Sequence, residues 1–198
     1  MKRFFLGLIC ACSFYSCSNK EESKAIEEEQ TDSITTNNET IDEQAIVKAP
    51  EFTYTDINGN EVSLSDFRGK LVYMDIWATW CGPCKMQIPA LKKLEEKYKN
   101  EDIVILSVSI DPEKDKGKWK QMVKDEQLKG VQLYAGAESN FPMDYQVEYI
   151  PRFVLISAKG DILMDNAPQP MNMETGGINP GIEQIFEIYL KTNKKATS

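Results

Sequence analysis

The 198-residue sequence contains no histidine, few cysteines and no excess of basic residues. A structural zinc site needs four ligands, usually cysteine and histidine. Besides Cys81 and Cys84, the only cysteine expected in the mature chain is Cys17, beyond a long linker, so a zinc site fails on ligand count. The 31 acidic residues outnumber the 23 basic ones, and nothing in the charge pattern favours nucleic-acid binding.

The N-terminus lacks an apolar run long enough to cross a bilayer. Lys2 and Arg3 precede the short apolar stretch of residues 4–16, which is followed by Cys17. A charged start, a short apolar run and a cysteine resemble a bacterial lipoprotein signal over residues 1–17, with Cys17 as the lipidated residue. Cys12 as the lipidated residue, or an ordinary cleaved secretory signal, are the alternatives. Each places the domain outside the cytoplasm, where thiols tend to oxidise.

Residues 18–47 lack aromatic side chains and carry nine acidic residues against two lysines, a net charge of −7. This segment therefore accounts for nearly the whole net charge of −8. So polar a stretch buries too little surface to offset its ordering entropy, which predicts a flexible acidic linker. The globular domain is predicted over residues 48–193.

The pattern within that domain predicts an α/β fold with a mixed central sheet and helices on both faces. Asn58-Gly59 favours an N-terminal hairpin, and residues 70–78 form a strand that is apolar on both faces. A helix from about Pro83 to Lys99 is predicted to bury Met86 and Leu91, while its residues from Lys92 onward form a solvated charged face. Residues 165–180 are predicted to be a loop. The remaining predicted elements are a strand at residues 102–111, a helix at 115–127, short strands at 131–135, 149–157 and 162–165, and a final helix at 182–192.

The stretch WCGPC places Cys81 and Cys84 at the junction between a buried strand and a helix. A structural disulfide stabilises mainly by closing a long loop, and two intervening residues close almost none, so this alternative is weak. The first turn of a helix favours thiolate over thiol. We interpret the pair as a redox-active dithiol.

The motif WATWCGPCK resembles the active site of the thioredoxin superfamily, and residues 49–91 are similar to the TlpA/ResA-like thiol–disulfide oxidoreductases. The resemblance extends more loosely over residues 48–192 and implies a thioredoxin fold. It implies that Cys81 is the exposed nucleophile and that Cys84 is the resolving thiol. The intervening Gly82 and Pro83 match reducing thioredoxins.

The resemblance also implies a substrate-docking groove. Pro151 matches the cis-proline that faces the dithiol, and the backbone of Ile150 would pair with a bound substrate strand. A plain proline at the start of a strand is the alternative. Trp80 is expected to shape the substrate surface, and Trp77 is expected to pack beneath the site.

Asp75 lies six residues before Cys81, in a strand without a polar face, so its carboxyl is expected to be buried with a raised pKa. It would then accept the proton of Cys84. Thioredoxins carry an aspartate at the matching position and pair it with a lysine, where this sequence offers Ser107. The alternative is a buried acid satisfied by a hydrogen bond.

Together these features predict a disulfide reductase of exported proteins, in cytochrome c maturation or periplasmic redox homeostasis. It would be anchored in the cell envelope, with the outer membrane favoured. No cofactor is implied, and a membrane dithiol carrier would supply electrons. The alternatives are a lipid-tethered binding module with an incidental dithiol and a thiol peroxidase.

Overall fold

The computed structural model describes residues 47–196. The predicted signal at residues 1–17, with Cys12 and Cys17, and the predicted linker up to residue 46 lie outside these residues. The described strands are β1 (Thr53–Asp56), β2 (Glu61–Ser63), β3 (Leu71–Trp77), β4 (Ile103–Ser109), β5 (Val131–Tyr134), β6 (Arg152–Ile156) and β7 (Ile162–Met164). The helices are α1 (Gly82–Tyr98), α2 (Lys116–Asp125), α3 (Phe141–Asp144) and α4 (Pro180–Ala196).

The strands form one mixed sheet in the order β2-β1-β5-β4-β3-β6-β7. β3 is central: it pairs in parallel with β4 and antiparallel with β6. All seven of its residues are buried, which explains why its sequence is apolar on both alternating faces. The carboxyl end of this strand leads directly to Cys81.

One face of the sheet is covered by α1 and α4. Tyr73 packs there with Leu91 and Leu94 from α1 and with Ile182 and Phe186 from α4. Met86 is 48% exposed, so the prediction that it belongs to the core is wrong. It follows Cys84 by two residues and lies away from the apolar stripe that meets the sheet.

The opposite face is covered by shorter elements. Val72, Met74 and Ile76 pack there with Phe141 of α3 and with Leu64, which begins a short 3₁₀ helix (Leu64–Phe67). The fold is therefore an α/β fold with helical elements on both faces, as predicted. The sequence did not predict α3.

The N-terminal hairpin is present, with β1 and β2 antiparallel. Asp56 Oδ1 accepts hydrogen bonds from the backbone N–H groups of Asn58 and Asn60, at 2.8 Å each. Gly59 has a φ of +92°, which favours glycine at this turn. None of the helices within residues 47–196 has the length and hydrophobicity of a membrane-spanning segment.

Candidate active site

Cys81 and Cys84 are joined by a disulfide bond at the start of α1. Cys81 is the N-cap residue, with extended backbone (φ −80°, ψ 101°). Its Sγ accepts a hydrogen bond from the backbone N–H of Cys84 at 3.1 Å. The same N–H and the positive end of the helix dipole would stabilise a thiolate at Cys81 once the disulfide is reduced.

Cys81 is only 4% exposed, hardly more than Cys84 at 3%. The expectation of an exposed Cys81 is therefore wrong for the disulfide-bonded protein. The physical reason is packing, because both sulfurs lie in an apolar cluster with Trp77, Trp119 and Val123. The intervening Gly82 and Pro83 are exposed, and a Cβ at Gly82 would meet no neighbouring atom within 4 Å.

The loop between β3 and Cys81 is held by Asp111, a residue that the sequence reasoning did not single out. The Asp111 carboxylate accepts hydrogen bonds from the Thr79 N–H at 3.0 Å, the Thr79 hydroxyl at 2.7 Å and the Ser109 hydroxyl at 2.7 Å. Its side chain is fully buried. The position of Asp111 in the sequence could have indicated this role. Asp111 follows β4 by two residues, and β4 is parallel to its neighbour β3, so the residues that follow the two strands lie at the same edge of the sheet.

The peptide bond between Ile150 and Pro151 is cis. Ile150 packs against the cluster that contains both cysteines, so the fold brings this distant segment to the dithiol. Within residues 47–196, no hydrogen bond to the Ile150 backbone is found. The Arg152 guanidinium donates from Nη1 to the Gln146 carbonyl at 2.6 Å and from Nε to the Asp165 carbonyl at 2.9 Å, which fixes the segment from both sides.

The two tryptophans that flank the motif differ in environment. Trp77 is 2% exposed and packs with the cysteines, whereas Trp80 is 62% exposed. Trp80 lines an open groove of about 530 Å³, together with Gln121 and Met122 of α2. An exposed indole beside the dithiol offers a contact surface for an extended polypeptide.

Asp75 is 5% exposed, and its Oδ1 has no hydrogen-bond partner within the described part of the chain. Burial raises the pKa of this carboxyl to about 8, and a hydrogen bond from the Ser107 side chain partly offsets the effect. Ser107 is the residue paired with Asp75 on β4. Asp75 lines a narrow cavity behind the dithiol helix, together with Trp77, Ile88 and Leu91.

The loop at residues 165–180 is attached to the dithiol helix by Gln87. This side chain is 1% exposed. Its Nε2 donates to Gln169 Oε1 at 3.0 Å, and its Oε1 accepts from the Met171 N–H at 3.1 Å. Nothing in the sequence pattern indicated that this glutamine, one helical turn after Cys84, faces a segment more than 80 residues away.

No group of side chains suited to a metal ion is found among residues 47–196.

A strand–loop–helix junction with a disulfide in the first helical turn, beside a cis-proline segment, defines a redox site of the thiol–disulfide oxidoreductase type. The redoxin family matches residues 44–175, more than half of the chain, so the protein belongs to that family. It is a thioredoxin-superfamily protein of the ResA-like kind.

A curated relative and a solved structure illustrate the similarity. The thiol–disulfide oxidoreductase ResA of Bacillus thuringiensis is 33% identical over 119 residues, which cover 60% of this chain and 66% of ResA. The chain thus spans slightly less than two thirds of that relative. A solution structure from Bacteroides vulgatus, described as a thiol–disulfide oxidoreductase, is 45% identical with a TM-score of 0.58 and covers 67% of this chain and 86% of its own.

A third comparison concerns a more distant protein. A crystal structure from Chlorobium tepidum, described as the thiol:disulfide interchange protein DsbE, is 29% identical with a TM-score of 0.56. It covers 60% of this chain and 82% of its own. These similarities agree with the fold and the dithiol described above.

Proposed function

We propose that this protein is an exported, membrane-tethered disulfide reductase whose reagent is the Cys81–Cys84 dithiol. The observation that carries the proposal is the disulfide at the N-terminus of α1, where the Cys84 N–H contacts Cys81 Sγ. A group that stabilises the Cys81 thiolate makes the reduced form accessible and favours nucleophilic attack. The Gly-Pro pair between the cysteines, which matches reducing thioredoxins, supports the direction of electron flow.

The reaction proceeds in two exchanges. The Cys81 thiolate attacks one sulfur of a substrate disulfide, forms a mixed disulfide and releases the first substrate thiolate. Cys84 then loses its proton to the Asp75 carboxylate, and the resulting thiolate attacks Cys81 and releases the second substrate thiolate. Both released thiolates take protons from solvent. The substrate gains two electrons, and the protein becomes the disulfide form described here.

Substrate docking depends on the surface around the dithiol. We assign the free backbone of Ile150, next to Pro151, to pairing with an extended substrate strand. Trp80 would cover the substrate on the other side. Disulfide-containing exported proteins are the substrate class, including the apocytochromes of cytochrome c maturation.

The electrons must come from outside the chain. We propose a membrane dithiol carrier as the donor, because a compartment that oxidises thiols lacks a cytosolic reductant.

The support for an envelope location is the sequence pattern at residues 1–17, with Cys17 as the lipid acceptor and the outer membrane as the favoured location. Labelled palmitate should enter the full-length chain but not Cys17→Ala, and labelling that depends on Cys12 would place the cleavage elsewhere.

The central test is reduction of insulin disulfides by the domain in the presence of dithiothreitol. Cys81→Ser should abolish this activity, and Ser65→Ala, away from the site, is the control. A Cys84→Ser variant should hold its substrates as mixed disulfides on Cys81. Activity that survives Cys81→Ser would refute the proposal and favour a binding module with an incidental dithiol.

A further inference from the structure

A second acid, the partly buried Glu95, lines the same narrow cavity as the buried Asp75. Glu95 lies on α1, eleven residues after Cys84. Residues of α1 and of the sheet line this cavity, and Ser107 and Gln132 are among them. Its volume is about 10 Å³, close to the least that holds one water molecule. The charge pattern of α1 predicts that Glu95 belongs to a solvated face, and this is wrong because its side chain turns toward the sheet.

The position of the Glu95 carboxyl is fixed by the turn before β5. Gly130 has a φ of +67°, and a Cβ there would collide with the Glu95 carboxyl and approach the Ile105 carbonyl to 2.9 Å. The missing side chain therefore leaves the niche that Glu95 occupies. A backbone hydrogen bond from Lys129 and the charges of Lys129 and Lys92 act on the same carboxyl.

Glu95 also reaches the outer surface. It lines an open surface groove of about 410 Å³. Other charged residues also line this groove. They lie just before β3, near the end of α1 and in the turns before β4 and β5: Lys70, Glu96, Lys99, Glu101 and Lys129. Glu95 is thus shared between an internal cavity that contains Asp75 and a groove that is open to solvent.

We propose that Glu95 relays protons between Asp75 and solvent during the resolving step. The inference rests on the proposed reductase function. Before resolution, the proton of Asp75 passes to the Glu95 carboxylate, directly or through one water molecule, and leaves through the surface groove. The Asp75 carboxylate then accepts the proton of Cys84. No electrons move in the relay. One proton from Asp75 reaches solvent through Glu95, and the proton that Cys84 loses then replaces it on Asp75.

The titration of the two acids suits this role. Burial raises the pKa of Asp75 to about 8 and that of Glu95 to about 7, with Lys129 and Lys92 opposing the rise at Glu95. The buried phenol of Tyr73 is a further titratable group whose pKa the charge of Asp75 raises. Both acids therefore exchange protons near neutral pH, which is where a relay is effective.

The test compares Glu95→Gln with Glu61→Gln, an exposed glutamate on β2 that lines neither the cavity nor the surface groove. Both steps of the reaction with oxidised glutathione are followed by stopped-flow tryptophan fluorescence in dilute buffer. Glu95→Gln should slow the resolving step about tenfold, less than the roughly 10²–10⁴-fold effect of losing the general base itself, and should leave the first attack unchanged. Glu61→Gln should change neither step.

Rescue separates a relay from a structural effect. Added imidazole, which carries protons through solvent, should restore the resolving rate of Glu95→Gln toward that of the wild type. A resolving rate that equals the wild type in dilute buffer, or a slowed rate that imidazole does not restore, would overturn the relay. Insulin reduction that depends on Cys81 would still stand in either case, so failure of the relay is distinguishable from failure of the proposed function.

Discussion

Replacing Asp75 with asparagine should change how the stability of the oxidised protein depends on pH. Burial raises the pKa of Asp75 from 3.8 to about 8. Because the folded protein then holds a proton that the unfolded chain has lost, the free energy of unfolding falls as pH rises between these two values. A pKa difference of one between the folded and unfolded states corresponds to about 1.4 kcal/mol, so the full loss above pH 8 is roughly 6 kcal/mol.

Asp75→Asn removes this dependence because asparagine does not titrate. The difference in unfolding free energy between variant and wild type should therefore grow by about 1.4 kcal/mol per pH unit from pH 5 to pH 8. The new amide is left partly unpaired at a site where Oδ1 already has no partner, which costs about 1–3 kcal/mol. That cost lowers the unfolding free energy of the variant by the same amount at every pH, so it does not change the slope of the difference against pH.

The slope can be measured by guanidinium unfolding of the oxidised proteins at several pH values, followed by tryptophan fluorescence. Ser107→Ala is the matched control, since it removes the hydrogen bond that lowers the pKa of Asp75. In Ser107→Ala the pKa of Asp75 should be higher than in the wild type, so the free energy of unfolding should continue to fall up to a higher pH. Parallel stability curves for Asp75→Asn and the wild type would show that Asp75 is ionised in the fold, and the argument from burial would be refuted.

Three further predictions concern the surroundings of the dithiol. Asp111→Asn should lower the free energy of unfolding by about 1–3 kcal/mol at neutral pH, because an amide cannot accept from all three donors of Thr79 and Ser109; denaturation that matches the wild type would contradict this. Gln87→Leu should speed amide hydrogen exchange at Met171 and leave exchange in β4 unchanged, since the loop loses its attachment to α1. Pro83→His should raise the reduction potential measured against glutathione, by about 30 mV for each 1.4 kcal/mol by which the imidazolium stabilises the reduced form; an unchanged potential would rule out that electrostatic effect.

Some features of the site could be predicted because they depend on short stretches of chain. The spacing of Cys81 and Cys84 allows a disulfide within one helical turn, and proline at the start of α1 suits the first turn. The burial of Asp75 followed from its position in a strand that is apolar on both faces. The pairing of Asp75 with Ser107 required only the register of two neighbouring parallel strands. The roles assigned to these residues remain predictions.

Other features depend on contacts between distant segments, for which the sequence has no local signal. Gln87 and Glu95 are polar residues on a charged helix, and their burial is decided by the loop at residues 168–171 and by the turn at Gly130. Met86 was misplaced for the same reason, because only the packed sheet defines which side of α1 is covered.

The reagent could be recognised from the local sequence, since two cysteines at this spacing at the start of a helix form a redox pair through local geometry and the helix dipole. The groups that surround the pair are brought there by the folding of distant segments. Asp111 fixes the loop before Cys81, Ile150 reaches the dithiol from a distant part of the chain, and Glu95 joins the cavity of Asp75. These arrangements arise from side-chain packing across the sheet, which no local pattern of residues specifies.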